Sequence, residues 1–343
     1  MATEAKSLIQ VENVRRSFRS VKKSEGLRGA LELLVKPQYQ VHEALKGVSF
    51  TIEEGALVGL IGANGAGKTT LLKVLSGLIP ATSGSARVLG YDPFARALDF
   101  RRRISLVMGQ KAQLWWDLPA ADAFLLLRAI YEIPKDEYKR RLDELARILD
   151  VGRLLQTQIR RLSLGERMKM ELIGALIHWP EVVFLDEPTI GLDVIAASSL
   201  RQFLKTYNLQ NRSTMILTSH NMDDIERLCS RVLIIKEGQL IFDGSPQKLA
   251  GTGEKRLRVR LDKLPSVEEL SRVAGVASDA VAFGVAEAGA GEDGADSPEA
   301  TTVRIKVAPS LMPAILQSLM ARYRVVDMGV EEQSLEDVIS LVL

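Results

Sequence analysis

The stretch GLIGANGAGKTTLL, residues 59–72, leaves this chain few folds to choose from. An apolar run that reads as a strand enters a glycine-rich turn and leaves as a helix-forming segment, the context that G-x-x-x-x-G-K-[ST] requires. Glycines let the backbone curl until its N–H groups face one centre, and the helix that follows adds the positive end of its dipole. Gly62, Ala63, Asn64, Gly65, Ala66, Gly67, Lys68, Thr69 and Thr70 therefore form a candidate phosphate cradle. In it Lys68 is expected to reach the β- and γ-phosphates, and the Thr69 hydroxyl to ligate Mg²⁺. A chance glycine turn before a helix is the competing reading, and the strand–turn–helix context weighs against it.

A second stretch, EVVFLDEPTIGLD (181–193), supplies acids. Val182 to Leu185 is a run suited to a strand buried on both faces. In open α/β sheets such strands deliver polar residues at their carboxyl ends, where ligands sit. Asp186 is placed to hold the Mg²⁺ shell, and Glu187 to orient and polarise an attacking water, as phosphoryl transfer requires. Two exposed acids in a turn would be the plainer reading. It leaves unexplained why they follow an uninterrupted apolar strand in a chain that already has a phosphate loop. In ILTSHNMDD (216–224) a strand ends before His220. A lone histidine there is more often structural, but this one would share the sheet edge with Asp186 and could contact the γ-phosphate, so the functional reading is preferred.

Short β-branched runs alternate with segments of helical period such as EYKRRLDELARILD, which argues for a largely parallel, covered sheet. Residues 117–178 are almost purely helix-like and read as a helical subdomain within a unit spanning 7–250. Residues 19–41 read as an insertion between two strands, with five basic residues and a short apolar face from Leu27 through Leu34. It is either a surface helix packed on its own domain, the favoured reading, or one that faces a partner or lipid headgroups. Residues 252–343 read as a small α/β domain, with the acidic, glycine-rich 286–300 as a flexible loop. With 46% hydrophobic and 26% charged residues, the chain can bury a real core. A formal net charge of +2 is too balanced to point to nucleic acid, so none is expected as a partner. Cys229 is the only cysteine, which excludes an intramolecular disulfide. The first residues, MATEAKSLIQVENV, lack the pattern of a secretory leader, and no run approaches a membrane span. The expectation is a cytoplasmic protein that serves any membrane process by docking on a partner.

Taken together, these motifs resemble the ATPase subunit of ATP-binding-cassette (ABC) transporters over about residues 7–250. GANGAGKT looks like the Walker A loop and VVFLDE the Walker B strand. LSLGE (162–166) takes the place of the family signature, GLD (191–193) of the D-loop with Asp193, and Ser219-His220 of the switch histidine. Gln110 matches the Q-loop glutamine, a catalytic and Mg²⁺-shell role, with Gln113 as the competing candidate. Phe18, at the end of the first strand, fits the aromatic that stacks on adenine. The resemblance implies a P-loop NTPase cassette: a parallel α/β core with an antiparallel β subdomain and a helical subdomain, followed by the small C-terminal accessory domain. It implies ATP and Mg²⁺ as cofactors, transmembrane permease subunits as partners, and a second cassette subunit, identical or not. It also implies a peripheral location on the cytoplasmic face of the cell membrane. GQKAQLWWDLP and LSLGER look most like exporter ATPases of the drug- and polysaccharide-efflux type. A cassette ATPase acting on ribosomes or DNA is the alternative; a single cassette without a heptad array weighs against it.

The signature carries Leu164 where its familiar form has glycine. In this family the signature of one subunit faces ATP held by another, acting through its serine hydroxyl and the amides of a helix start. Those amides do not depend on the side chain at 164, and Ser163 and Gly165 are present. SLGE is also a Ser-x-x-Glu capping box, in which Ser163 and Glu166 would simply cap a helix; the two roles are compatible. Hydrolysis is therefore expected to survive Leu164. Trp115 and Trp116 either fill the helical subdomain's core or anchor a membrane partner's helix.

Overall fold

A computed structural model of the chain describes residues 7–21, 39–109, 112–250, 255–262, 265–277, 280–284, 301–307 and 310–332. Gln110, the apolar segment 27–34 and the expected loop at 286–300 lie outside the described residues. The chain divides into two compact units, Met1–Pro246 and Gln247–Val342.

In the first unit β1 (Ser7–Val21) pairs antiparallel with β2 (Tyr39–Glu53), as far as Val21 opposite Tyr39. Pairing thus runs into the segment read as an insertion: residues 19–21 and 39–41 are strand. At this end Tyr39 and Val41 of β2 are 63% and 58% exposed, so β2 carries no period-2 burial signal there. Next come β3 (Leu57–Ile61), α1 (Lys68–Leu75) and β4 (Ser83–Val88). Strand β4 joins β1 to complete a three-stranded antiparallel sheet of order β2-β1-β4. After α2 (Leu98–Arg102) and β5 (Ile104–Met108) the chain enters α3 (Ala120–Ile130), α4 (Lys135–Ile148) and α5 (Leu164–Leu176). It returns through β6 (Val182–Asp186), α6 (Val194–Asn211), β7 (Thr214–Thr218), α7 (Met222–Leu228), β8 (Arg231–Lys236) and β9 (Gln239–Gly244).

These strands build a six-stranded sheet of order β5-β6-β7-β3-β8-β9, parallel throughout except for the β8–β9 pair. The near-continuous apolar runs are explained by burial on both faces: every residue of β3 and β7 is buried, as are Val182 to Leu185 of β6. Leu60, Leu71, Leu75, Phe100, Phe184 and Leu233 share one core. Because β3 lies inside the sheet, the loop leaving its carboxyl end opens beside the carboxyl ends of β6 and β7. This is where α/β sheets bind ligands.

In the second unit β10 (Lys255–Leu261), α8 (Val267–Ala274), β11 (Val281–Gly284), β12 (Thr301–Val307), α9 (Met312–Arg322) and β13 (Val325–Glu332) follow in order. The sheet order is β11-β12-β10-β13, antiparallel at every pairing, a ferredoxin-like β-α-β-β-α-β arrangement. Leu257, Val259, Leu270, Val303, Ile305 and Leu319 form its own core. Four-residue β11 was not anticipated from the sequence.

A candidate nucleotide site at the carboxyl edge of the parallel sheet

The glycine loop closes on itself before α1 begins. The Ala66 amide donates to the Ala63 carbonyl at 3.0 Å, and Gly67, the N-cap of α1, has φ 113°. A Cβ at 67 would lie 2.6 Å from the Ala44 carbonyl oxygen, so only glycine fits this turn. No side chain caps α1, and the first-turn amides therefore stay available to an anion. Lys68 is buried, with Nζ donating to the Gly62 carbonyl at 2.6 Å and to the Ala63 carbonyl at 3.2 Å. Burial holds its pKa below the usual lysine value, while the nearby charges of Glu187 and Asp186 pull the other way.

Asp186, the last residue of β6, accepts from two hydroxyls: Thr69 at 2.9 Å on Oδ2 and Thr218 at 2.8 Å on Oδ1. Thr218 ends β7, and its Oγ1 also accepts from the Glu187 amide at 2.9 Å. One threonine thus holds both acids of the strand end. No local motif announced it; its only sequence signal is a hydroxyl ending the apolar strand just ahead of Ser219-His220. Glu187 itself has φ 54°, a left-handed backbone that few residues other than glycine adopt. Its Oε1 lies 2.6 Å from His220 Nε2. A cleft lined by Glu187, Ile190, Leu192, His220 and Asn221 opens alongside.

A second layer of polar contacts ties the same loops together. Asp224 is fully buried; its Oδ2 accepts from Thr189 at 2.6 Å and Ser219 at 2.8 Å, and its Oδ1 from Arg201 at 2.5 Å. Thr189 follows Glu187 and Ser219 precedes His220, so one buried carboxylate anchors both segments. The sequence reading missed this network entirely, because its members lie on separate elements.

The structure thus brings the phosphate loop, Asp186, Glu187 and His220 to one sheet edge. The signature residues sit elsewhere, at the start of α5. Ser163 is its N-cap in a complete capping box: its amide and hydroxyl donate to Glu166 Oε2 at 3.0 and 2.9 Å, and its Oγ accepts from the Glu166 amide at 3.3 Å. Those bonds hold the Glu166 carboxyl below the usual range. Asp193 caps α6 by accepting from the Ala196 amide at 2.8 Å. Phe18 lies on the hairpin, 37% exposed, with the Arg16 guanidinium 4.6 Å above its ring. Gln113 donates from Nε2 to the Leu106 carbonyl at 2.8 Å. The core reading of the tryptophan pair does not hold. Trp115 and Trp116 are about half exposed, and Leu114 is the residue that packs inward, against Gly174.

The donor set fits a triphosphate and its metal. A buried ammonium and unpartnered helix-start amides suit phosphate oxygens, and a hydroxyl beside a carboxylate gives the hard oxygen ligands that Mg²⁺ takes. Fold and loop together define a P-loop nucleotide-binding protein of α/β type. Residues 45–190 match the sequence model of the ABC transporter family. The chain is 30% identical to the ABC transporter ATP-binding protein NatA of Bacillus subtilis, over 61% of this chain and 85% of that one. To the Nod factor export ATP-binding protein I of Burkholderia thailandensis it is 33% identical, over 63% and 70% of the two chains. Its fold matches a solved dimeric ATP-binding cassette in a post-hydrolysis state, bound to ADP and Pi, with TM-score 0.57 and 23% identity over 69% and 98%. This chain belongs to the ABC transporter family, as one of its ATP-binding, ATP-hydrolysing subunits.

Proposed function

We propose that two copies of this subunit, or one copy and a related cassette, enclose two MgATP and drive export through separate transmembrane subunits. The observation that carries this reading is the meeting of Thr69, Asp186, Glu187 and His220 at one sheet edge, next to Lys68. Lys68 and the loop from Gly62 to Thr70 hold the β- and γ-phosphates, which gives the buried ammonium a better partner than its own loop carbonyls. Thr69 and Asp186 hold Mg²⁺, with Gln110 as a further member of its shell. The Gly109 amide donates to the Asp186 carbonyl at 2.8 Å, which carries the β5–β6 pairing one residue further. When bound, Mg²⁺ supplies charge neutralisation at the phosphate oxygens. Glu187 accepts a hydrogen bond from the attacking water, His220 orients Glu187 and reaches the γ-phosphate, and Phe18 stacks on adenine.

The other half of the enclosure comes from the second subunit: Ser163, the Gly165 amide, Glu166 beside them, and the Asp193 segment. Closing the pair on ATP and reopening it after hydrolysis is a ligand-driven population shift. A place on the cytoplasmic face, held by permease subunits, follows from the same reading. Among the described residues no helix is long and apolar enough to cross a membrane. The export direction is supported by a relative named for export. The test is ATP turnover by the full chain purified with its membrane partners. Glu187→Gln should abolish turnover while ATP still binds; turnover unaffected by that change contradicts the assignment.

A further inference from the structure

Leu164 is the first helical residue of α5 and is 40% exposed, yet its side chain is not free. Its Cδ2 lies 2.9 Å from where a Cβ on Gly191 would sit. Gly191 has φ 72°, in the left-handed region where glycine is favoured. The next signature residue continues the contact: a Cβ on Gly165 would lie 3.4 Å from the Ala196 Cβ and 3.9 Å from Leu192 Cδ2. Two consecutive signature positions therefore abut the segment from Gly191 to Ala196 within one copy.

That turn is also tied down by hydrogen bonds. The Ile190 amide donates to the Glu187 carbonyl at 3.2 Å and the Leu192 amide to the Thr189 carbonyl at 3.1 Å. Thr189 Oγ1 is bonded to buried Asp224. The 190–193 turn is thus held by its own backbone bonds and abutted by the Leu164 side chain, a contact that glycine at 164 would remove.

We propose that Leu164 is a positioning residue: it bears on the Gly191 turn and fixes the 190–193 loop against the start of the signature helix in the same copy. It exchanges the small residue usual in the signature for a wedge that only a glycine at 191 can accept. The consequence for turnover rests on the two-copy ATP reading above; the contact itself does not.

Two measurements on the full chain test this. In hydrogen–deuterium exchange, Leu164→Ala should speed exchange of the 190–193 amides at least fivefold while leaving 182–186 unchanged, and Leu164→Met should restore slow exchange. In ATP turnover, Leu164→Ala should lower kcat with KM for ATP unchanged, because the phosphate loop is untouched. Gly191→Ala should lower turnover severalfold, and that penalty should be at least threefold smaller in the Leu164→Ala background, where the clash has been removed and only the backbone strain remains. Unchanged exchange in Leu164→Ala, or an identical Gly191→Ala penalty in both backgrounds, overturns the proposal. A wild-type chain that binds ATP without turning it over counts against the hydrolytic reading, and the exchange measurement still decides the role of Leu164.

Discussion

His220 Nε2 sits 2.6 Å from Glu187 Oε1, across the gap between the ends of β6 and β7. The pair is held from behind. Thr218 fixes the Glu187 amide, Asp224 fixes Ser219, and Glu187 takes a left-handed backbone that aims its side chain across the gap. The proposed function gives this pair the water-orienting role, and that role is open to direct test. His220→Ala should cut ATP turnover by about 100-fold, the scale of a lost acid–base or orienting group. ATP affinity, measured by calorimetry, should stay within about threefold, since the loop carries binding. Retention of more than half the turnover would contradict this role.

Ser163 caps α5, and the proposed function gives it a second role at the terminal phosphate that one variant can separate from the first. Asparagine caps helices as well as serine does and its amide can donate to the Glu166 carboxylate, whereas alanine costs about 1 kcal/mol. Ser163→Asn should therefore unfold at a denaturant midpoint near that of the wild type, while it removes the hydroxyl that the proposed function aims at the terminal phosphate, and turnover should fall by about tenfold or more. Normal turnover in that variant would reduce Ser163 to a cap.

The buried Arg201–Asp224 pair predicts a stability effect rather than a binding one. Asp224→Ala strands a buried guanidinium and leaves Thr189 and Ser219 without their acceptor. The expected loss is about 3–5 kcal/mol in denaturant unfolding. Replacing both partners by apolar residues, Arg201→Met with Asp224→Leu, should cost less than Asp224→Ala alone. A larger loss in the double variant than in the single one would refute this.

How legible was all this in the sequence? The places of the phosphate loop, Asp186, Glu187 and His220 were readable because each is a local pattern at one strand end. Thr218 and the Asp224 network were not, because they depend on side chains from strands and helices brought together only by the fold. Phe18 was read as ending the first strand, whereas β1 runs on to Val21, because the exposed Tyr39 and Val41 opposite leave no burial period to mark the hairpin's length. The tryptophans left two readings open, core filling or a partner's anchor, because apolar character alone does not tell an inward from an outward ring; the half-exposed pair leaves Leu114 as the core residue. The second unit's strand order could not be read at all, since register and order follow from packing rather than from any one segment.

His178 gives a pH dependence. It stacks on Tyr131 at 3.9 Å, its Nε2 lies 3.0 Å from the Ile104 carbonyl, and burial lowers its pKa from 6.5 to about 4. Between those values the unfolded chain binds a proton that the folded chain does not. Its contribution to stability is complete above the unfolded value and falls as pH drops toward 4, by up to about 3 kcal/mol. His178→Phe should flatten unfolding stability over that window; an unchanged slope would show that other groups set it.

The most direct measurement is a cross-link across the enclosed nucleotide. In a Cys229→Ala, Glu187→Gln background, Ser163→Cys and Asn64→Cys are introduced together and oxidised with or without MgATP. A disulfide between copies should give a band of doubled mass with MgATP and none with ADP. MgATP bound to saturation with no doubled band would contradict the clasp between one copy's phosphate loop and the other's signature.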